Sequence, residues 1–160
     1  MAKYLTVFSD SHGCRRNLQS LVGDFYISDK IVFLGDGAGD LIELFEFQDK
    51  LIKVKGNCDF SFSIPKEEIF CLEGAKFLAV HGDLYGVKIN RDRLFEYAKA
   101  RGVNCVLYGH THKPLIEEKD GVIMVNPGTL SGYGNGETFA FITVKNGVIT
   151  AKIIPLSKRV

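Results

Sequence analysis

Seven side chains able to hold a metal ion follow apolar runs in this sequence. They are Asp10 and His12, Asp36, Asn57, His81, and the pair His110 and His112. All 4 histidines of the chain are among them. Carboxylate, imidazole and amide oxygen are borderline-to-hard ligands, better suited to divalent Mn, Fe, Co or Zn than a thiolate cage would be. His110 and His112 are two residues apart in an extended segment, so their side chains point the same way. The set is larger than one ion needs. Two ions could share a carboxylate, and Asp36, alone on its loop, is the natural bridge. Two metals roughly 3.5–4 Å apart can clamp both oxygens of an in-line phosphoryl displacement.

Formal charge sharpens that reading. Two divalent ions bring four positive charges, and Asp10 and Asp36 offset two of them. A hydroxide and a phosphodiester monoanion would bring the site to neutrality, whereas a phosphomonoester dianion would overshoot. Phosphodiesters are therefore the expected substrates.

Each residue alone has an ordinary alternative. A histidine after a strand is often a surface residue, and aspartates such as Asp10 and Asp36 often cap turns. Asn57 could be a plain turn residue. What favours ligation is their joint recurrence at strand ends. Asp59 is read either as a carboxylate orienting His81 or His110 or as a turn cap. Asp40 is read as a helix cap and Asp83 as solvated. Cys58 has no basic residue beside it in sequence, so it is a loop filler rather than a nucleophile.

The elements that must position these residues are legible as runs. Tyr4–Phe8, Ile31–Leu34 and Leu51–Val54 read as strands. Leu18, Leu21, Val22 and Phe25 repeat at helical spacing and predict a helix over 14–25. Asp40 with Glu43 has the form of an N-cap and capping box, with Leu41, Leu44 and Phe45 as the apolar face of the helix that follows. Strand–loop–helix repetition implies parallel strands with right-handed crossovers, and such sheets bind ligands at the carboxyl ends of their strands. Beyond Pro65 the pattern becomes mostly antiparallel. Glu68–Leu72 and Lys76–Val80 flank a hairpin turn, Asn90 caps a helix through about Ala100 with Gly102 at its stop, and Cys105–Tyr108 is a buried strand. Asp120-Gly121 and Asn146-Gly147 predict two more hairpins. The long loop Gly128–Gly136 carries Tyr133, read as a stacking surface on a substrate lid or as plain surface loop.

The totals set outer bounds. At 160 residues the chain is expected to form one domain spanning 1–160. The hydrophobic fraction of 46% and net charge of +1 are ordinary for a globular protein and lack the basic surplus of a nucleic-acid binder. The 4 cysteines form no Cys-x-x-Cys pair; Cys71 and Cys105 are expected in the core. No signal peptide is legible and no run approaches the ~18 apolar residues of a membrane span. A cytoplasmic setting is expected.

Taken together, the blocks Asp10-Ser11-His12, Gly35-Asp36, Gly56-Asn57-Cys58-Asp59, His81 and Gly109-His110-Thr111-His112 resemble the calcineurin-like metallophosphoesterase superfamily. Its pattern is Asp-x-His, Gly-Asp, Gly-Asn-x-Asp, a lone His and Gly-His-x-His, in that order. The resemblance implies an α/β fold: a four-layer sandwich of two mixed β-sheets flanked by helices. It implies one metal on Asp10, His12, Asp36 and His112 and a second on Asp36, Asn57, His81 and His110. It makes Asp36, Asn57 and His81 catalytic, with a metal-bridging hydroxide attacking phosphorus. The short length and Asn126-Pro127-Gly128-Thr129 are similar to a small bacterial and archaeal phosphodiesterase branch. Members of that branch typically use manganese, although the same ligands accept Ni, Zn, Fe or Mg.

Departures from the family pattern matter too. Residues 37–42 hold no Arg, and Cys58 stands where protein phosphatases carry the histidine that protonates the leaving group. Asp83 replaces a further histidine. A thiol protonates an alkoxide poorly, so aryl and other good leaving groups should react best. The alternative is a non-catalytic scaffold on the same fold, as in a retromer subunit. That lineage erodes the ligand positions, whereas all are kept here. The expected partner is a small phosphodiester, with no membrane partner, and a homodimer is left open.

Overall fold

A computed structural model describes residues 1–132 and 136–158. The strands alternate their apolar residues between two faces, and this alternation builds the layers. In Lys3–Phe8 (β1), Leu5 and Val7 enter one core, while Phe8 enters another. In Lys30–Phe33 (β2), Val32 follows the first pair, and Ile31 and Phe33 follow Phe8. Side chains two apart share a face, so each strand serves two cores at once.

Leu51–Lys53 (β3) pairs parallel to β2, and β2 pairs parallel to β1. Thr138–Lys145 (β9) and Val148–Pro155 (β10) complete this sheet by antiparallel pairing, in the order β10-β9-β1-β2-β3. The second sheet comprises Glu67–Leu72 (β4), Ala75–Val80 (β5), Cys105–Leu107 (β6), Leu115–Lys119 (β7) and Val122–Asn126 (β8). Its order is β4-β5-β6-β8-β7, with β5, β6 and β8 parallel and the outer pairs antiparallel. Both sheets are therefore mixed.

The two sheets face each other across a core that includes Leu5, Val7, Val32, Phe77, Ala79, Leu107 and Val125. On the outer side of the first sheet, Phe8, Ile31 and Phe33 pack against Leu18, Phe25, Leu44 and Phe47 from helical segments. On the outer side of the second, Leu78, Val80 and Val106 pack against Leu94, Phe95 and Ala98 of Asp92–Ala100 (α3). The result is the expected four-layer α/β sandwich. No described helix is long and apolar enough to cross a membrane.

The hairpins fall where the sequence placed them. Glu73-Gly74, Asp120-Gly121 and Asn146-Gly147 all take positive φ, as tight hairpin turns require. Asn90 Oδ1 accepts the N–H of Asp92 at 3.1 Å, and Gly102 (φ +65°) ends α3.

Four local readings need correction. The helix expected over 14–25 is two short ones, Arg15–Gln19 (α1) and Val22–Ile27 (α2). Between them Ser20 Oγ donates to the Asn17 carbonyl at 2.6 Å, competing with backbone bonding there. The capping box at Asp40 does not form. Helical turns of 3₁₀ type run through Ala38–Lys50 with a break at Leu44, and Asp40 lies inside the segment, its carboxylate bonding Ser11 and Gly13 rather than the segment's start. Asp40 turns inward instead, where buried donors outcompete a solvent-facing cap. On that segment Leu41, Leu44 and Phe47 are buried, while Phe45 is 81% exposed. Finally, Cys105 is buried as expected but Cys71 is exposed, opposite Lys76 on an edge strand.

Candidate metal centre

The polar residues singled out by spacing meet at one rim because β1, β2 and β3 run parallel, as do β5 and β6. Asp10, Asp36 and Asn57 follow the first three; His81 and His110 follow the other two. Backbone bonds lash the loops together. Asp10 N–H donates to Gly35 O at 2.9 Å, His12 N–H to Asp36 O at 3.1 Å, and Gly109 N–H to His81 O at 2.8 Å.

The local backbone is strained at the same places. Among the described residues, the non-glycine positions with positive φ outside hairpin turns are Asp10, His12, Asp36, His110 and His112. Left-handed backbone costs an L-residue roughly 1–2 kcal/mol, and such strain concentrates at functional sites. Glycines allow the close approaches. A Cβ at Gly56 would lie 2.1 Å from Asp36 Oδ1, and one at Gly109 would lie 2.7 Å from Asp10 Oδ2.

The donors form two groups. In the first, His112 Nε2 lies 3.0 Å from Asp10 Oδ1, and His12 Nε2 lies 3.6 Å from the same oxygen and 3.4 Å from His112 Nε2. In the second, His81 Nε2 lies 3.0 Å from Asn57 Oδ1, 3.1 Å from His110 Nδ1 and 3.2 Å from Asp36 Oδ2. Asp36 Oδ2 is also 3.9 Å from His12 Nε2, so Asp36 stands between the groups. All seven residues are thus brought together. Cys58 adds its sulfur to the His12–Asp36 side within 4.8 Å.

The chemistry of these atoms fits a cation. His81 Nδ1 lies 2.7 Å from the Leu34 carbonyl and must donate its proton there. In the neutral ring Nε2 is then a lone pair, directed at the Asp36 carboxylate, the Asn57 amide oxygen and the His110 nitrogen. A cation would satisfy them together. Burial opposes charge on His81, but the Asp36 hydrogen bond and the Asp10 and Asp36 charges outweigh it and raise its pKa. Burial likewise opposes ionisation of Asp10, yet bonds from His112, His12 and Ser9 carry its pKa far below the usual carboxylate range. His110 moves the other way, pushed down by burial and by the charges of His81 and Lys88.

Spacing alone did not reveal the residues that hold this rim. Asp59 touches neither imidazole: its carboxylate accepts the backbone N–H groups of Asp36, Gly37, Ala38 and Gly56 at 2.8–3.0 Å. It caps a turn, and the turn is the one carrying Asp36. Asp40 accepts Ser11 Oγ at 2.6 Å and Gly13 N–H at 2.9 Å, bracing the loop of Asp10 and His12. The buried Asn126 donates from Nδ2 to Gly109 O at 3.1 Å and Thr111 Oγ1 at 2.9 Å. Thr129 Oγ1 donates to Asp10 O at 2.8 Å. The Asn126–Thr129 segment therefore braces two ligand loops at once. Its sequence had marked a family branch but no structural role. Tyr133 lies outside the described residues.

Known proteins resemble this chain in sequence and fold. Residues 4–147 match the family model of the calcineurin-like phosphoesterase superfamily domain. The chain is 29% identical over 149 residues to the probable metallophosphoesterase YsnB of Bacillus subtilis, covering 91% of this chain and 87% of that protein. It is 28% identical over 151 residues to the phosphodiesterase MJ0936 of Methanocaldococcus jannaschii, covering 81% and 86%. A predicted phosphoesterase of Streptococcus pneumoniae superposes with a TM-score of 0.82 at 25% identity, over 97% of this chain and 90% of that one. Vps29 of Entamoeba histolytica shares the fold, with a TM-score of 0.76 at 18% identity over 96% and 99%. With the family's five blocks gathered on one rim and the domain match running through all of them, the chain belongs to the calcineurin-like phosphoesterase superfamily.

Proposed function

We propose that this protein is a dinuclear metal-dependent phosphoesterase whose substrates are phosphodiesters. The observation that carries the reading is Asp36 Oδ2, 3.2 Å from His81 Nε2 on one side and 3.9 Å from His12 Nε2 on the other. One carboxylate oxygen facing two nitrogen-rich groups is the arrangement a shared ligand requires. Asp10, His12, Asp36 and His112 would hold one ion; Asn57, His81, His110 and Asp36 would hold the other. Manganese heads the list of candidates, ahead of Ni, Zn, Fe and Mg. Such a pair supplies Lewis acidity at the phosphoryl group and acidifies water.

The chain's own residues supply order. The Leu34 carbonyl fixes the His81 ring, and Asp59 and Asp40 hold the two aspartate loops. Metal ligands held by such partners are aimed before the ion arrives. Hydrolysis joins a water oxygen to phosphorus and breaks one P–O ester bond. The leaving oxygen then needs a proton. Cys58 is poorly suited to give it, because a thiol protonates an alkoxide poorly. Esters with good leaving groups are therefore the better substrates. The charge count of two aspartates against two divalent ions favours diesters over monoesters, and the name of the Methanocaldococcus relative agrees.

The test is a panel of aryl mono- and diesters offered to metal-stripped protein with Mn, Ni, Mg or Zn restored. Diester hydrolysis that returns with manganese is the expected result. A monoesterase preference would overturn the diester assignment. The scaffold alternative, which the Vps29 likeness in fold keeps in view, makes a different forecast: metal analysis would never approach two ions per chain.

A further inference from the structure

A cleft of about 580 Å³ runs beside the His110–Thr111–His112 loop. That volume is in the range of small-molecule sites. Lys88 and Lys113 contribute ammonium groups, Ile89 and Leu115 contribute apolar surface, and Thr111 connects the cleft to the two histidines. The third cation, Arg91, is neutralised by bonding both carboxylate oxygens of Glu117. Among the described residues no carboxylate lines the cleft. Lys88 lines the cleft together with Thr111, which places that lysine beside the loop of the two histidines.

The neighbouring cleft is the useful contrast. It borders Asn57 and His81 and holds about 230 Å³. Lys55 and Lys66 line it, but so do Asp59 and Asp83. Its formal charges cancel. Of these two clefts, the one at Thr111 combines uncompensated positive charge with apolar walls.

We infer that the cleft of Lys88 and Lys113 receives one ester arm of the substrate, and that this arm is an apolar or aromatic group bearing a negative charge of its own. The inference rests on the phosphodiesterase reading above and narrows it: the preferred diester carries a second anionic group beyond the phosphate being hydrolysed. Lys88 and Lys113 are binding residues here.

Two esters that release the same reporter test it: p-nitrophenyl phenyl phosphate and p-nitrophenyl 4-carboxyphenyl phosphate. Water oxygen bonds to phosphorus, the bond to the nitrophenolate oxygen breaks, and phenyl or 4-carboxyphenyl phosphate remains. With manganese-loaded protein, kcat/KM should favour the carboxylated ester by about fivefold, the scale of one or two exposed ion pairs. In the Lys88→Met/Lys113→Met double variant that ratio should fall to about one, through KM. Lys66→Met, in the other cleft, should keep it. A wild-type ratio of one or less, an unchanged ratio in the double variant, or equal loss in Lys66→Met would overturn the assignment. If neither ester is hydrolysed, the phosphodiesterase reading falls instead, and calorimetry decides the cleft. Tighter binding of 4-carboxyphenyl phosphate than of phenyl phosphate, lost in the double variant, upholds it. Equal binding of the two overturns it.

Discussion

The Asp59 carboxylate receives the backbone N–H of Asp36 at 2.8 Å, and it also holds the amides of Gly37, Ala38 and Gly56. A charged acceptor serving several N–H groups is worth more than a neutral one. Replacing Asp59 with Ala should therefore cost about 2–3 kcal/mol in a urea titration. It should also weaken metal binding by about 10–100-fold, the usual effect of losing a residue that supports metal ligands. Wild-type metal affinity in Asp59→Ala would show that the turn holds its shape unaided.

Asp36 tests the shared ligand directly. Asp36→Asn keeps the shape and the oxygen that accepts Cys58 N–H, but it removes the charge between the two histidine groups. Both ions should be lost together, with turnover down by at least about 100-fold. Metal analysis and diester hydrolysis measured on one preparation read both effects. Undiminished turnover would eliminate the bridging role.

His110 and His112 sit on one short loop yet face different groups, His110 toward His81 and His112 toward Asp10. His112→Ala should weaken the ion nearest Asp10 and His12. His110→Ala should weaken the one nearest Asn57 and His81. Manganese titrations followed by paramagnetic resonance should lose one of two binding phases in each variant, and a different one. If both variants lose the same phase, the two histidines serve one ion.

Gly109 leaves no room for a side chain. An added Cβ would meet Ser9 Oγ at 2.2 Å and Asp10 Oδ2 at 2.7 Å. Gly109→Ala should cost about 1–3 kcal/mol, as overpacking does. At Gly23, inside α2, an added Cβ would face open space, clear of every other element. There Ala should be neutral or stabilising by up to about 1 kcal/mol. Denaturant midpoints for the pair separate crowding at the rim from a general intolerance of substitution.

Much of the scaffold was legible because strands and hairpins are local. β1, β2 and β6 are short apolar runs, and Asp120-Gly121 and Asn146-Gly147 announce their turns through residues that tolerate positive φ. The helical stretches read less well. Periodicity marked the core contacts of Leu18, Leu21 and Phe25, but the Ser20 hydroxyl bonding the Asn17 carbonyl interrupts that helix. Asp40 has a cap's spacing, yet Ser11 and Gly13, some thirty positions away in sequence, offered its carboxylate better partners.

The same division runs through the site. Sequence by itself determined which residues could bind metal, because donor chemistry belongs to the side chain and strand ends are set by local apolar runs. It determined the family as well, through blocks whose order and spacing are one-dimensional facts. Only the tertiary structure decided the distances within each donor group, those from Asp36 to His12 and His81, and which loops Asp59, Asp40 and Asn126 hold. The physical reason is that a polar group's partner is chosen by distance in space. Those partners come from different strands and different sheets, and the register of packed sheets is not written in the spacing along any one of them.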